Sequence, residues 1–485
     1  MKHLTLLLLA LLFSQIFHHQ QIGLNLVIFE AVIFGVLFYN KEIKLDGKLN
    51  KVIFGSVWVS LIAIIFHHSL IAIFIHILNW IACIGILNYS KLKKIIIGLG
   101  IGLLSIFEFP KTLFTTIKDK PKSKSNVFKK INFKLYIIPI LILLIFQGLY
   151  RLSNPEFDIF VSKIWEGFTD LFSLLNWTYF PLFLLGLVIC TPILFRVKHH
   201  ELEEIDRKNN EQLKRIRRKI AGPLNPIKLK NQYKSTLFLF FTLNLLIATL
   251  LAFEIYNGWF NFEYSGQNLS HYVHQGTYIL IFSILISMGL VLFYFKGNLN
   301  FLNNNQPLIK QTNIWIGLNT ILTFSVAIRC FHYIDNFGLT QKRIGLTTFL
   351  IAVIIGLITV LIKVNRLKTS AYLWRVNILT TFLLFNALTL FNWDIIIAKY
   401  NIYTHNKTNI ELYYLSELSD KTLYIFETEA FKQRYSADNQ IQLSYIKTNT
   451  NKFVQKWENQ HWLSWNYADY NCYKQLNKNE IDDAK

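Results

Sequence analysis

About twelve long apolar stretches run through this 485-residue chain, and no other feature constrains its fold as much. In hydrocarbon, every backbone N–H and C=O must find a partner within its own helix or a closed barrel. A spanning helix takes about 20 apolar residues, with a range of roughly 17–25. The candidate segments are Leu4–Phe17, Ile22–Tyr39, Val52–Phe66, Leu70–Tyr89, Ile95–Phe109, Leu135–Tyr150, Trp177–Phe195, Ser235–Tyr256, His274–Phe295, Thr312–Phe331, Ile344–Ile362 and Tyr372–Phe391. Hydrophobic residues make up 53% of the chain, against roughly 45–50% in soluble domains even with glycine counted. The expected fold class is all-α, a polytopic transmembrane helix bundle. Residues 392–485 are polar, rich in Tyr and Trp, and long enough for a small, mainly helical C-terminal domain. The expected division is an N-terminal bundle (1–195), a basic loop (196–234), a C-terminal bundle (235–391) and the C-terminal domain (392–485).

The formal net charge is +21, and the basic residues come in blocks. Residues 40–51 hold four Lys or Arg, 90–94 three, 110–134 eight and 196–234 twelve, whereas 18–21, 67–69 and 257–273 hold none. Blocks that flank apolar spans are orientation signals. No nucleic-acid-binding signature accompanies them, so the expected partner is the lipid bilayer and not a nucleic acid. With the N-terminus inside, strict alternation works up to residue 94 and then fails if Ile95–Phe109 crosses. If that segment does not cross, every heavily basic gap falls inside. Gly98, Gly100 and Gly102, followed by Pro110, suit a re-entrant or interfacial element. Eleven crossings are therefore expected, with the N-terminus cytoplasmic and the C-terminal domain outside. No small-x-small cleavage site follows the first segment, so a retained first helix is expected.

Several extramembrane segments carry their own patterns. Loop 196–234 is expected to be helical from His200 to Ile220, with i,i+4 pairs Glu204/Lys208 and Glu211/Arg215, stopped at Gly222-Pro223. Residues 157–175 have the spacing of an amphipathic helix on the outer side. In the C-terminal region, Leu412 to Phe431 reads as two helices broken at Ser419-Asp420, Phe453–Trp457 and Trp465–Leu476 as short helices, and the alternating Gln440–Lys447 as an extended stretch.

A charge at the bilayer centre costs about 2.5–3.5 kcal/mol on insertion scales, so each one is a functional candidate. Glu30 and His76 fall at similar depths, about 12 and 9 Å from one face at 1.5 Å per residue, and are expected to pair. Glu254 and Arg329 both fall near the outer ends of their segments and are expected to form an ion pair. Arg375 is expected to snorkel at the inner end. His271 and His274, at i,i+3, have the only helical ligand spacing among the outer-face histidines, a weak candidate for metal. Cys83, Cys190, Cys330 and Cys472 form no CxxC pair, so neither a disulfide framework nor a zinc site is indicated. No cofactor is expected.

Several local patterns coincide with one family. Arg329-x-x-x-Tyr333, then Phe337-Gly338-Leu339-Thr340 and Arg343, resembles its R-x-x-x-Y…G-L-T-x-x-R stretch. Asn392-x-Asp394-x-x-Ile397-Ala398-x-Tyr400-Asn401 resembles its N-P-D-x-x-I-A-x-x-N, with Trp393 where Pro is usual. Tyr414-Leu415-x-x-Leu418-Ser419-Asp420 and the closing Trp462–Leu476 also fit. Together they resemble the bacterial polytopic membrane proteins of the domain of unknown function 4153/4173 families. The resemblance implies a multi-pass protein of a bacterial inner membrane and implies no activity. The residues themselves have structural readings: Gly338 for a positive φ, Thr340 as an N-cap, and Ala398 for a close helix approach.

Three functions stay in competition. The first is a non-enzymatic envelope protein that anchors the outer C-terminal domain for sensing or assembly, with its protein partners open. The second is a proton- or ion-coupled small-solute transporter using Glu30 and His76. The third is a membrane enzyme acting on a lipid-linked substrate, with Asp335 and Asp394 the nearest carboxylates.

Overall fold

Apolar runs of this length fold into helices because each helix satisfies its own backbone, and the computed structural model shows this throughout. It describes residues 2–118, 150–163, 178–208, 211–214, 226–260, 268–295, 298–404, 412–435 and 440–483, together with 139, 143 and 146–148. Most of the expected segment Leu135–Tyr150, residues 164–175 of the amphipathic helix, and 209–210 and 215–225 of the basic loop lie outside the described residues. Among the described residues, six helices are long and apolar enough to cross a membrane, and four more are shorter apolar helices. No extended strand occurs among them, only an isolated bridge between Gln212 and Lys368. The chain is an all-α, multi-pass membrane protein.

Two compact units divide it: Met1–Ile43 with Leu103–Val197, and Lys44–Gly102 with Lys198–Lys485. The first unit contains α1 (Lys2–Phe17) and α2 (Leu24–Tyr39). It also holds α6 (Phe109–Lys118) and α7 (Tyr179–Leu194). The main packing is α1 on α7, which meet at two small residues: a Cβ added to Gly186 would lie 2.9 Å from the Ala10 Cα. Around that crossing, Leu6, Leu9, Phe13, Cys190, Ile193 and Leu194 are buried. At one end of the unit, Lys2 donates to the Leu194 carbonyl (3.1 Å) and pairs with Glu42 (2.6 Å). At the other, the His18 ring stacks on Tyr179 with centroids 3.8 Å apart.

The second unit begins with the hairpin α3 (Lys48–His67) and α4 (Leu70–Asn88), followed by α5 (Ile95–Phe107), whose last residues pass into the first unit. The axes of α5 and α6 bend by 62° at Glu108. The glycines of α5 also serve a contact that the sequence did not indicate. A Cβ on Gly102 would collide with the Ile81 carbonyl, and one on Gly85 with the Gly98 backbone. Gly98-x-x-x-Gly102 is thus a small-residue face that lets two backbones touch.

The unit continues through α8 (His200–Arg207), α9 (Pro226–Glu254) and α10 (Asn268–Tyr294). Then come α11 (Gln306–Phe337), α12 (Gln341–Asn365) and α13 (Ser370–Leu388). Phe240, Trp315, Leu322, Leu357 and Val360 centre a core formed by α9 to α13. The expected helix over 200–220 stops at Arg207. Glu204 pairs with Lys208 at 2.7 Å as expected, and Glu211 faces Arg375 and Lys368; Arg215, its expected partner, lies outside the described residues. The backbone there pairs with the 366–369 turn: Leu213 N–H donates to Leu367 (2.8 Å) and Thr369 N–H to Glu211 (2.9 Å). Tertiary pairing has overridden the local helical pattern.

The C-terminal region follows as α14 (Trp393–Lys399), α15 (Leu412–Ser416), α16 (Leu423–Phe426) and α17 (Glu429–Arg434). The long α18 (Gln440–Glu458) and α19 (Tyr467–Asp483) complete it. Ala398, Leu415, Phe426, Phe431, Phe453 and Cys472 belong to a core of its own. The extended stretch expected over Gln440–Lys447 is helical. Ile446 and Phe453, seven residues apart, supply its buried stripe, and that period-3.6 spacing outweighs the short alternation.

Loops of the second unit gather at two ends. At one, the Lys93 N–H binds Asp206, the Lys94 ammonium reaches the Ile205 carbonyl (3.1 Å), and the Glu211–Leu213 backbone meets the 366–369 turn. At the other lie His67, His68, Gly338, Leu390 and the C-terminal region.

Candidate functional site

The most connected polar construction is the turn between α11 and α12. Gly338 holds φ 76° and ψ −176°, a region essentially closed to residues with a Cβ. The exposed backbone of the next residue is closed off by Asn401: the Leu339 N–H donates to its Oδ1 (2.7 Å) and its Nδ2 donates to the Leu339 carbonyl (2.9 Å). Gln341 joins two further elements, its N–H donating to the Tyr414 hydroxyl (2.9 Å) and its Nε2 to Asp394 (2.6 Å). Arg343 stacks over the Tyr333 ring, 4.3 Å from the centroid, and donates to the Phe337 and Gly338 carbonyls. Thr340 stands at the N-cap position of α12; its carbonyl, not its side chain, accepts the bonds there. Asn392 caps α14 and donates to the His67 carbonyl (3.4 Å). Ala398 is fully buried. The motif positions Tyr333, Gly338, Thr340, Arg343, Asp394 and Asn401 thus meet in one clamp, with Asn392 capping α14 and Ala398 packed in the core of the C-terminal region.

Two further groups bear on the same end. Arg329 and Glu254, both buried, form the expected ion pair, with Arg329 Nε donating to Glu254 Oε2 at 3.0 Å. Ser325 donates to the same carboxylate (3.3 Å), and the Trp259 indole N–H donates to Ser325 (3.1 Å). At the tip of α3, His68 Nδ1 stands 3.5 Å from Asp469, and Lys421 stands 3.8 Å from it. Asn466 caps α19 and donates to Asp469 at 2.8 Å. Burial alone would raise the Asp469 carboxyl. The His68 ring, the Lys421 ammonium and the Asn466 amide outweigh it and hold the group at about 2.

Within the apolar body of the second unit, α3, α4 and α13 share a polar seam. His76 Nδ1 and Ser60 Oγ lie 2.9 Å apart. Asn79 Nδ2 donates to Ser60 Oγ (2.9 Å), to the Ser56 carbonyl (2.9 Å) and to Asn386 Oδ1 (2.8 Å). Asn386 returns a bond to Asn79 (3.3 Å). Glu30 is buried on α2, in the first unit. Arg375, expected to snorkel, pairs with Glu211. The side chains of His271 and His274 lie outside the described ones.

Sequence reasoning passed over Asn79, Asn386 and Ser60, because a search for charges inside apolar runs skips neutral amides. An Asn within each of two apolar segments was the available signal. Lys363, 2% exposed and donating to the Phe295 carbonyl (2.9 Å), was missed because it sits at a helix end where lysine usually snorkels.

A family model described as domain of unknown function (DUF4153) matches residues 31–427. The chain belongs to the DUF4153 family. The match holds every residue of the clamp at the α11–α12 turn and stops before α17, so the closing Trp462–Leu476 stretch lies beyond it. No curated protein and no solved structure matches this DUF4153 chain.

Proposed function

We propose that this DUF4153 protein is a non-enzymatic envelope protein whose membrane helices hold the C-terminal domain in a fixed pose for sensing or assembly. One observation carries the reading: the clamp bonds the α11–α12 turn, by side chains, to α14, α15 and the residues just after α14. The charge pattern supports a cytoplasmic position for the end bearing Lys93, Lys94 and the 198–214 loop. The domain then faces the periplasm or the cell exterior, on a bacterial inner membrane. The meeting of Lys93 and Asp206 at one end is in keeping with a non-spanning Ile95–Phe109, and with it the charge pattern gives eleven crossings.

The polar seam favours the transport reading, since Asn and His inside apolar helices are natural ligands for a solute. Complementation of a strain lacking the gene separates the two. Asn79→Leu with Asn386→Leu removes both partners of the amide pair and leaves shape, and the Ser56 carbonyl and Ser60 hydroxyl that Asn79 also meets keep their bond to each other within α3, so the change is close to neutral for folding. The scaffold reading expects that double variant to restore the wild-type phenotype, and a chain cut after Thr404 to fail. The opposite pattern would replace it with transport through the seam.

A further inference from the structure

Two shallow grooves lie side by side at the basic end of the second unit, with Pro307 and Lys310 shared between them. The smaller, about 460 Å³, is lined by Lys234, Leu237, Phe238, Phe241 and Gln311 besides that shared pair. The larger, about 800 Å³, has an amide wall of Asn304, Gln306, Asn313 and Asn365. Lys234 and Lys310 are both exposed.

Below Lys234, α9 turns an apolar stripe outward: Phe238 is 69% exposed, Phe241 55% and Leu245 65%. Offsets of four, seven and eleven residues keep these side chains on the face of Lys234. Eleven residues rise about 16 Å, close to half of the roughly 30 Å hydrocarbon core. The groove therefore offers two cations and neutral amides at its mouth and an aromatic wall one leaflet deep below. Those dimensions and that charge fit an amphiphile with an anionic head.

We propose that this groove binds an anionic phospholipid. Its phosphate sits between Lys234 and Lys310, its polar headgroup reaches the amide wall, and one acyl chain lies along Phe238, Phe241 and Leu245. Lysines at the interface hold their charge at headgroup level while their stems lie on apolar surface, and basic pockets between helices on the cytoplasmic side suit such lipids. A zwitterionic lipid would bring its own cation to the lysines, and free phosphate would leave the apolar wall unused.

The test is native mass spectrometry of the full chain released from micelles holding equimolar phosphatidylglycerol and phosphatidylcholine. Wild type should retain phosphatidylglycerol preferentially. Lys234→Gln with Lys310→Gln should weaken that retention roughly tenfold or more, while Lys234→Arg with Lys310→Arg keeps it. Phe238→Ala with Phe241→Ala should also weaken it, and excess inorganic phosphate should not displace the lipid. An unchanged phosphatidylglycerol signal in the glutamine variant, equal retention of the two lipids by wild type, or displacement by phosphate would overturn the proposal. An unchanged unfolding midpoint separates lost lipid from lost fold.

Discussion

At the scale of single residues, the motif positions act on backbone groups that a sharp turn leaves open. Asn401 alone satisfies both the N–H and the C=O of Leu339. Asn401→Ala should lower stability by about 2 kcal/mol, the cost of stranding buried polar groups, read as a lower unfolding midpoint in detergent. Gly338→Ala should cost roughly 1–3 kcal/mol, because ψ −176° at φ 76° is strained for any residue with a Cβ. The buried Glu254–Arg329 pair makes a different demand. Losing one partner leaves a bare charge, so Arg329→Met should cost about 3–5 kcal/mol, while Glu254→Leu in the same chain should recover most of it. A double variant no more stable than the single would contradict that coupling. Asp469 gives the pH dependence. Its folded value of about 2 lies below the ordinary 3.8, so its contribution is complete above pH 4 and is lost as pH falls toward 2. The difference amounts to roughly 2 kcal/mol. Asp469→Asn should flatten that part of the acid unfolding curve.

At the scale of elements, close backbone contact at the glycines of α5 decides how the hairpin is covered. Gly102→Val should separate α4 from α5, since the new side chain meets the Ile81 carbonyl and not a flexible neighbour. Disulfide trapping between cysteines introduced at Ile84 and Ile101 would report the separation as reduced cross-linking. In sequence the same glycines suit a re-entrant or interfacial element, and composition alone does not reveal the backbone contact they make with α4. The helix α18 makes the complementary point. Its first eight residues alternate like a strand, yet its buried stripe is read only when Phe453 is included. Loop 196–234 adds pairings that local rules do not supply, since Glu211 meets Arg375 and Lys368, more than 150 residues away.

At the scale of the molecule, the two ends of the second unit carry unlike chemistry, basic loops at one and the clamped C-terminal region at the other. Reporter fusions after residues 215 and 480 should give a cytoplasmic and an external signal respectively; the same signal from both would undo the orientation. The apolar runs by themselves determined the all-α class, the membrane and the long apolar helices, because a backbone in hydrocarbon has few other ways to satisfy itself. Two of the basic blocks, 90–94 and 196–234, meet in the structure through Lys93, Lys94, Ile205 and Asp206. The Glu254–Arg329 pair was legible because two ions at similar depth have little else to meet. What the tertiary structure alone decided are the partnerships of neutral amides, Asn401 with Leu339 and Asn79 with Asn386, and the loop ion pairs of Asp469 with His68 and Lys421. Hydrophobic burial follows composition and period and is written along the chain, whereas a hydrogen bond depends on two groups meeting within about 3 Å. For residues about fifty to four hundred positions apart, only the packed helices set that distance.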